Sequence, residues 1–335
     1  MSGVDFPIGD LHLQSGETLK DARLHYATYG SLNKAGDNAV LFPTYYTGTH
    51  TSNEAFFGAG RAIDTDKYFV VVPNLFGNSL SSSPSNSTAA NFADKFPRVS
   101  IYDNVECQHR LLTEELGVTR IRLAAGWSMG AIQVYHFAAR YPHMVDTLLP
   151  FCGSARCSPH NDVFLQGVAA ALRADSHYND GKYSSPPVKG LKAFARVYCG
   201  WAYSQTFFRE NMYRELGFAD IESLMQDWEQ DHLDWDANDL LSKIATWRSA
   251  DISNHVQFNG NFESAMQAIT ARTIVMPCRT DLYFPPEDSR IEVDLMRNAE
   301  LRIIDSDWGH CSGSPGRNAE TMALLEKTFG ELLGT

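Results

Sequence analysis

The stretch Gly126-Trp127-Ser128-Met129-Gly130 restricts how this chain can fold more than any other. It follows IRLAA, a short apolar run of strand character, and precedes AIQVYHFAAR, a run of helical character. A serine at a strand-to-helix switch, flanked on each side by glycine two residues away, is the sequence form of a nucleophile elbow. The serine must turn sharply out of the strand, and small neighbours leave room for that backbone. The helix behind it then offers amides and the positive end of its dipole to a developing oxyanion. A plain glycine-rich turn is the alternative, and it leaves the coincidence of both glycines with the switch unexplained.

Such an elbow needs a mostly parallel sheet around it, and the flanking sequence supplies one. Strand-like runs fall at 22–29, 39–43, 68–73, 121–125 and 147–151, with FVVV at 69–72 apolar enough for burial on both faces. Helical stretches fall at 104–116, with Asp103 as N-cap and Gly117 as stop, and at 129–140, ending before Tyr141-Pro142. This alternation predicts an α/β fold with helices on both faces of the sheet. It breaks near Cys152, and residues 154–269 read as helical and aromatic. Strand–helix alternation returns at 273–277 and 301–305, with a closing amphipathic helix at 319–333. The expectation is a core from 1–153 and 270–335, with 154–269 inserted as a helical lid over the ligand-binding edge of the sheet.

Serine is a weak nucleophile unless a base takes its proton and an acid orients the base. Behind an elbow the expected chain order is Ser, acid, His. Asp281 lies just beyond the strand-like TIVMPC, and His310 just beyond LRIIDSD, so both fit that order. Of the 11 histidines, His160, His232 and His255 fall in the expected lid and are poorer bases. Among competing acids, Asp305 and Asp307 are too near His310 in sequence, and Asp288 belongs to the helix after Pro285-Pro286. One oxyanion donor is the Met129 amide. The other is an amide of Tyr45 or Tyr46 in the loop Pro43-Thr44-Tyr45-Tyr46-Thr47-Gly48, unless that loop is only an aromatic turn.

Composition removes several other classes of function. A formal net charge of -12 disfavours nucleic acid as a partner. No apolar run approaches the roughly 20 residues that span a bilayer, and the N-terminus has no basic start and apolar core of a secretory signal. Cys107, Cys152, Cys157, Cys199, Cys278 and Cys311 are scattered without CxxC spacing, so neither a metal site nor a disulfide framework is expected. No P-loop or dinucleotide fingerprint is present. A reduced, cytoplasmic protein without a membrane or a bound cofactor is the expectation.

Longer motifs add a family resemblance. NAVLFPTYYTG, VVPNLFGNSLSSSPSN, FPRVSIYDNVECQHRLLTEELGV, GWSMGAIQVYHFAARYPHMV, LKAFARVYCGWAYS, RTDLYFPPED and WGHCSG occur in one order between about Ser15 and Ala319. Together they resemble the homoserine O-acetyltransferase group of the α/β-hydrolases. The resemblance implies an α/β-hydrolase fold and a ping-pong acyl-enzyme mechanism with acetyl-CoA or another acyl-CoA as donor substrate. It also implies a triad of Ser128, Asp281 and His310, oxyanion amides at Tyr46 and Met129, and a homodimer formed through the lid. Arg196 and Tyr203 match the lid positions that hold the polar end of homoserine, and Arg's planar fork suits a carboxylate. A lid carboxylate could occupy Arg196 instead.

Two positions depart from the pattern. Cys311 follows His310 where the transferases carry an Asp for the ammonium of homoserine, and Trp127 replaces the usual glycine of the elbow. The acceptor is therefore expected to be a hydroxylated small molecule other than homoserine. Three functions follow: acyl transfer to such an acceptor, hydrolysis of an ester or thioester by water, and a silent scaffold that kept the fold. Transfer is preferred here because Arg196 and Tyr203 would serve no purpose toward water.

Overall fold

The structure, a computed structural model, describes residues 2–87 and 95–334. Its frame is an eight-stranded sheet in the order β1-β2-β4-β3-β5-β6-β7-β8. The strands are β1 (Val4–His12), β2 (Thr18–Tyr29), β3 (Ala39–Leu41), β4 (Phe69–Pro73), β5 (Ile121–Trp127), β6 (Val145–Phe151), β7 (Arg272–Val275) and β8 (Ala299–Leu301). β1 and β2 form an antiparallel edge, and every pair from β4 through β8 is parallel.

The period-2 side-chain alternation of strands divides the core between the two faces of this sheet. Leu41 and Val71 join Ile132, Val105 and Leu148 on one face, while Val40, Val70 and Val72 join Leu123, Leu149 and Phe151 on the other. The first face is covered by α1 (Ile101–Arg110) and α2 (Met129–Arg140). The second is closed by Leu325, Phe329, Leu332 and Leu333 of α10 (Ala319–Leu333).

Between β6 and β7 lie α3 (Pro159–Arg173), α4 (Val188–Ala202), α5 (Gln205–Arg209), α6 (Ile221–Leu233), α7 (Ala237–Arg248) and α8 (Phe262–Ala268); α9 (Pro286–Leu295) follows β7. α3 packs on α4 and α7, and α4 packs on α6. α8 instead packs on α2 and α9, so the inserted helical layer is α3–α7 and α8 lies against the core.

Some sequence expectations change. β1 is an additional strand, broken by register shifts around Pro7 and Gly9. α1 begins earlier than expected: Ser100 is the N-cap, accepting from the Asp103 amide at 3.2 Å, and the Asp103 carboxylate accepts from the Ser100 amide at 2.8 Å. Asp103 is thus the third residue of a capping box. Past Arg110 the helix widens to π geometry over Leu111–Glu115 before Gly117, at φ 71°, stops it. The last strand ends at Leu301, and of the expected 301–305 segment only Ile304 pairs further, as an isolated bridge to Cys278.

Candidate active site

The loops that leave the carboxyl ends of β3, β5, β7 and β8 converge above the parallel part of the sheet. Ser128 stands between β5 and α2 at φ 57° and ψ −124°, a left-handed backbone that costs a non-glycine residue about 1–3 kcal/mol. The two elbow glycines permit it. A Cβ on Gly126 would lie 2.4 Å from the Gly130 carbonyl carbon, and one on Gly130 would lie 2.8 Å from the Pro43 oxygen.

Ser128 Oγ lies 2.9 Å from His310 Nε2, and His310 Nδ1 lies 2.8 Å from Asp281 Oδ2. All three side chains are buried. Asp281 Oδ1 accepts from the amides of Tyr283 (2.8 Å) and Phe284 (3.2 Å), which fixes the carboxylate. With Nδ1–H donated to that carboxylate, Nε2 is left as the acceptor for the serine hydroxyl, the tautomer that a general base requires. Thr280 ties the two loops together, donating to the Ser306 carbonyl at 2.8 Å and accepting from the Gly309 amide at 3.1 Å.

The competing residues fall elsewhere. Asp305 and Asp307 pair with Arg279 at 2.6 and 2.9 Å on the exterior. Asp288 lines a separate cavity beside Arg156 and Glu292. His160 packs on Trp201, and His255 on Tyr102. His232, by contrast, lines the cavity above Ser128.

The amides of Tyr46 and Met129 find no protein acceptor among the described residues. A side-chain relay that the sequence reading missed holds their loop in place. Gln108 Nε2 donates to Gln133 Oε1 at 2.6 Å, and Gln133 Nε2 donates to the carbonyls of Thr44 (2.8 Å) and Met129 (3.0 Å). Tyr46 is anchored from above, its hydroxyl donating to the Leu240 carbonyl of α7 at 2.9 Å. The sequence signal of this relay is glutamine on the mostly apolar buried faces of two helices.

Above Ser128 opens a cavity of about 340 Å³, lined among others by Tyr45, Trp127, Tyr198, Trp228, Cys311 and Arg317. Trp127 is more than core filler: its ring stacks on His310 with centroids 5.0 Å apart, and Tyr45 meets it edge-on at 4.5 Å. Burial pushes the Cys311 thiol up to about 12, so this position carries no charge at neutral pH.

The two expected substrate-binding residues do not line the cavity. Arg196 extends from α4 to α6, bonding Glu222 at 2.6 and 3.1 Å and pairing with Glu229. With its guanidinium satisfied by two carboxylates, it has little left for a ligand. Tyr203 is fully buried behind the cavity, stacked on Phe207 at 4.1 Å, and its hydroxyl accepts from Arg317 Nη1 at 3.2 Å. The cation that does reach the cavity is Arg317, whose loop gave no sequence signal.

Residues 40–314 match the α/β-hydrolase fold family. The chain belongs to that family. This α/β-hydrolase is 36% identical over 308 residues to a probable esterase of Corynebacterium glutamicum, covering 90% of the chain and 88% of the relative. It is 35% identical over 332 residues to an ethyl acetate hydrolase of Pseudomonas veronii, with 98% and 94% coverage. A homoserine O-acetyltransferase of Symbiobacterium thermophilum is 32% identical, with 92% and 88% coverage, so the resemblance to that group is real but not exclusive. The crystal structure of an acetylester hydrolase from Corynebacterium glutamicum superposes with a TM-score of 0.96 at 34% identity, covering 99% of this chain and 96% of that one. The α/β-hydrolase described here is an enzyme of this fold.

Proposed function

We propose that this α/β-hydrolase is a serine esterase that cleaves short-chain esters, acetates foremost, through an acyl-enzyme on Ser128. The observation that carries this reading is the hydrogen-bonded series Ser128–His310–Asp281, opening on a small, largely aromatic cavity. Ser128 Oγ adds to the ester carbonyl carbon as its proton passes to His310 Nε2, while Asp281 steadies the imidazolium. The amides of Tyr46 and Met129 take the charge that develops on the carbonyl oxygen. Collapse of the tetrahedral species breaks the bond to the alcohol, which leaves with the proton from His310. A water molecule then repeats the sequence on the acyl-serine and releases the acid.

Hydrolysis replaces transfer as the preferred reading. The grounds for transfer were Arg196 and Tyr203, and neither lines the cavity. The neutral Cys311 adds no counter-charge for an ammonium group, and similarity to ester hydrolases supports the same direction. Acyl transfer stays as the second reading because of the 32% identity to a homoserine O-acetyltransferase. In that case acetyl-CoA is the donor and a hydroxylated small molecule the acceptor.

One experiment separates the readings. Purified protein is given 4-nitrophenyl acetate, ethyl acetate or acetyl-CoA, with and without a panel of alcohols and hydroxy acids, and free acetate and acetylated products are both followed. Esterase activity gives acetate at a rate independent of every acceptor; product acetylation that suppresses acetate release would establish transfer. Ser128→Ala should lower turnover by about 10⁴-fold or more, and full retention would remove the acyl-enzyme altogether.

A further inference from the structure

The cavity above Ser128 holds an arginine that the acyl-enzyme chemistry does not use. Arg317 lies in the loop between the His310 segment and α10 and lines the same cavity as Ser128, His310 and Trp127. Among the described residues, one of its five N–H donors has a protein acceptor, the Tyr203 hydroxyl at 3.2 Å, and no carboxylate pairs with it. Tyr203 is itself fully buried, so the guanidinium is held from behind, its other donors without an acceptor among the described residues. Across the cavity, α6 contributes Asp227 and Asp231. One wall therefore offers unused donors on Arg317, and the other offers carboxylate acceptors, with Asp231 Oδ2 3.3 Å from His232 Nδ1.

The chemistry of these walls separates possible ligands. An alkyl chain would take the place of water around Arg317, Asp227 and Asp231 and match none of them, at the cost of leaving polar groups unpaired. A carboxylate would suit Arg317 but meet two like charges, and the three side chains together carry a net negative charge. A hydroxyl accepts from a guanidinium and donates to a carboxylate, so a neutral hydroxylated group can satisfy both walls.

Resting on the esterase reading above, we propose that Arg317, with Asp227 and Asp231 opposite, recognises free hydroxyl groups on the alcohol part of the ester. The preferred substrates are then short-chain monoesters of small polyols. Arg317 is the specificity-determining residue and Tyr203 its positioning residue.

The test compares glycerol monoacetate, propyl acetate and 3-acetoxypropionate by steady-state kinetics on the intact protein, with 4-nitrophenyl acetate as reference. Wild type should favour glycerol monoacetate over propyl acetate by about tenfold or more in kcat/KM, the factor that one charge-assisted hydrogen bond supplies. Arg317→Met keeps the stem and removes the donors. It should bring that ratio down about tenfold, chiefly by raising KM for the hydroxylated ester. Asp227→Asn should lower the ratio by a smaller factor, and Tyr203→Phe should do the same with unchanged thermal stability. The assignment is overturned if wild type treats the two neutral esters alike, if 3-acetoxypropionate is the best of the three, or if Arg317→Met lowers both neutral esters equally. Good turnover of 4-nitrophenyl acetate alongside such a result would leave the esterase reading intact. Loss of all four activities in wild type would end both.

Discussion

At the scale of single residues, the site shows how far a side chain's use depends on what already satisfies it. Arg196 was the natural candidate for gripping a substrate, yet Glu222 and Glu229 occupy it. Arg196→Ala should therefore leave KM for short esters within about twofold of wild type, and Lys192 still reaches Glu229 at 3.0 Å in its absence. A tenfold rise in KM, measured with ethyl acetate, would return it to the substrate. Trp127 makes the opposite case. Its face lies against His310, where an imidazolium forms during attack, and such a contact is worth about 0.5–2 kcal/mol. Trp127→Leu should lower kcat on 4-nitrophenyl acetate by about 3- to 30-fold with little change in KM, and Trp127→Phe should recover part of the loss. Equal kcat in all three would make the ring packing alone.

At the scale of elements, the pieces that bring the relay together were the most legible in the sequence. α2 and α10 have the expected boundaries, because each combines a clear apolar face with an abrupt end. The parallel strands were recognisable as short apolar runs, since burial on both faces removes polar residues. β1 was not, because only Phe6 and Leu11 of its residues are buried and Pro7 and Gly9 interrupt the pairing. The start of α1 was misplaced because Ser100 and Asp103 are both capping residues and only the reciprocal bonds show which one caps. Ser128, Asp281 and His310 could be read from chain order because each follows its own strand. Arg317 could not: nothing in its local pattern says that a buried tyrosine far away in sequence turns it toward the cavity. The Gln108–Gln133 relay was hidden for the same reason. It couples α1, α2 and the loop at 43–48, so Gln133→Leu should loosen the Tyr46 amide and lower kcat by about tenfold or more with the fold retained, as judged by circular dichroism. A variant with wild-type kcat would confine the relay to stability.

For the molecule as a whole, one sheet serves both folding and chemistry, and the α3–α7 layer supplies most of the cavity wall opposite the His310 loop. No helix among the described residues is long and apolar enough to cross a membrane. Global stability should carry the mark of Glu292 on α9. Its side chain is buried, accepts from the Ala155 amide at 2.7 Å through Oε1, and lies beside the buried Tyr135 hydroxyl. Burial raises its carboxyl from 4.5 to about 8. A folded value above the unfolded one means that the folded state holds the proton longer, so the stability contribution is full below pH 4.5 and is lost as pH rises towards 8. Across that window Glu292 should lower wild-type stability by on the order of a few kcal/mol. Glu292→Gln keeps an acceptor for Ala155 and does not titrate. Its advantage over wild type in urea midpoint should grow from pH 5 to about 8 and then level off, because Glu292 is then ionised in the folded state as well. A constant difference across that range would show that the group does not titrate there.

The crowding at the elbow has a consequence for how this protein can change. Backbone atoms, which no rotamer shift can move aside, stand where side chains at Gly126 and Gly130 would go. In a saturation mutagenesis scan these two positions should tolerate almost nothing, whereas Asp227 and Arg317, exposed residues of the cavity lining, can be exchanged without disturbing the serine. Mutation can thus redraw the substrate range one wall residue at a time, while the nucleophile stays locked in place by its own main chain.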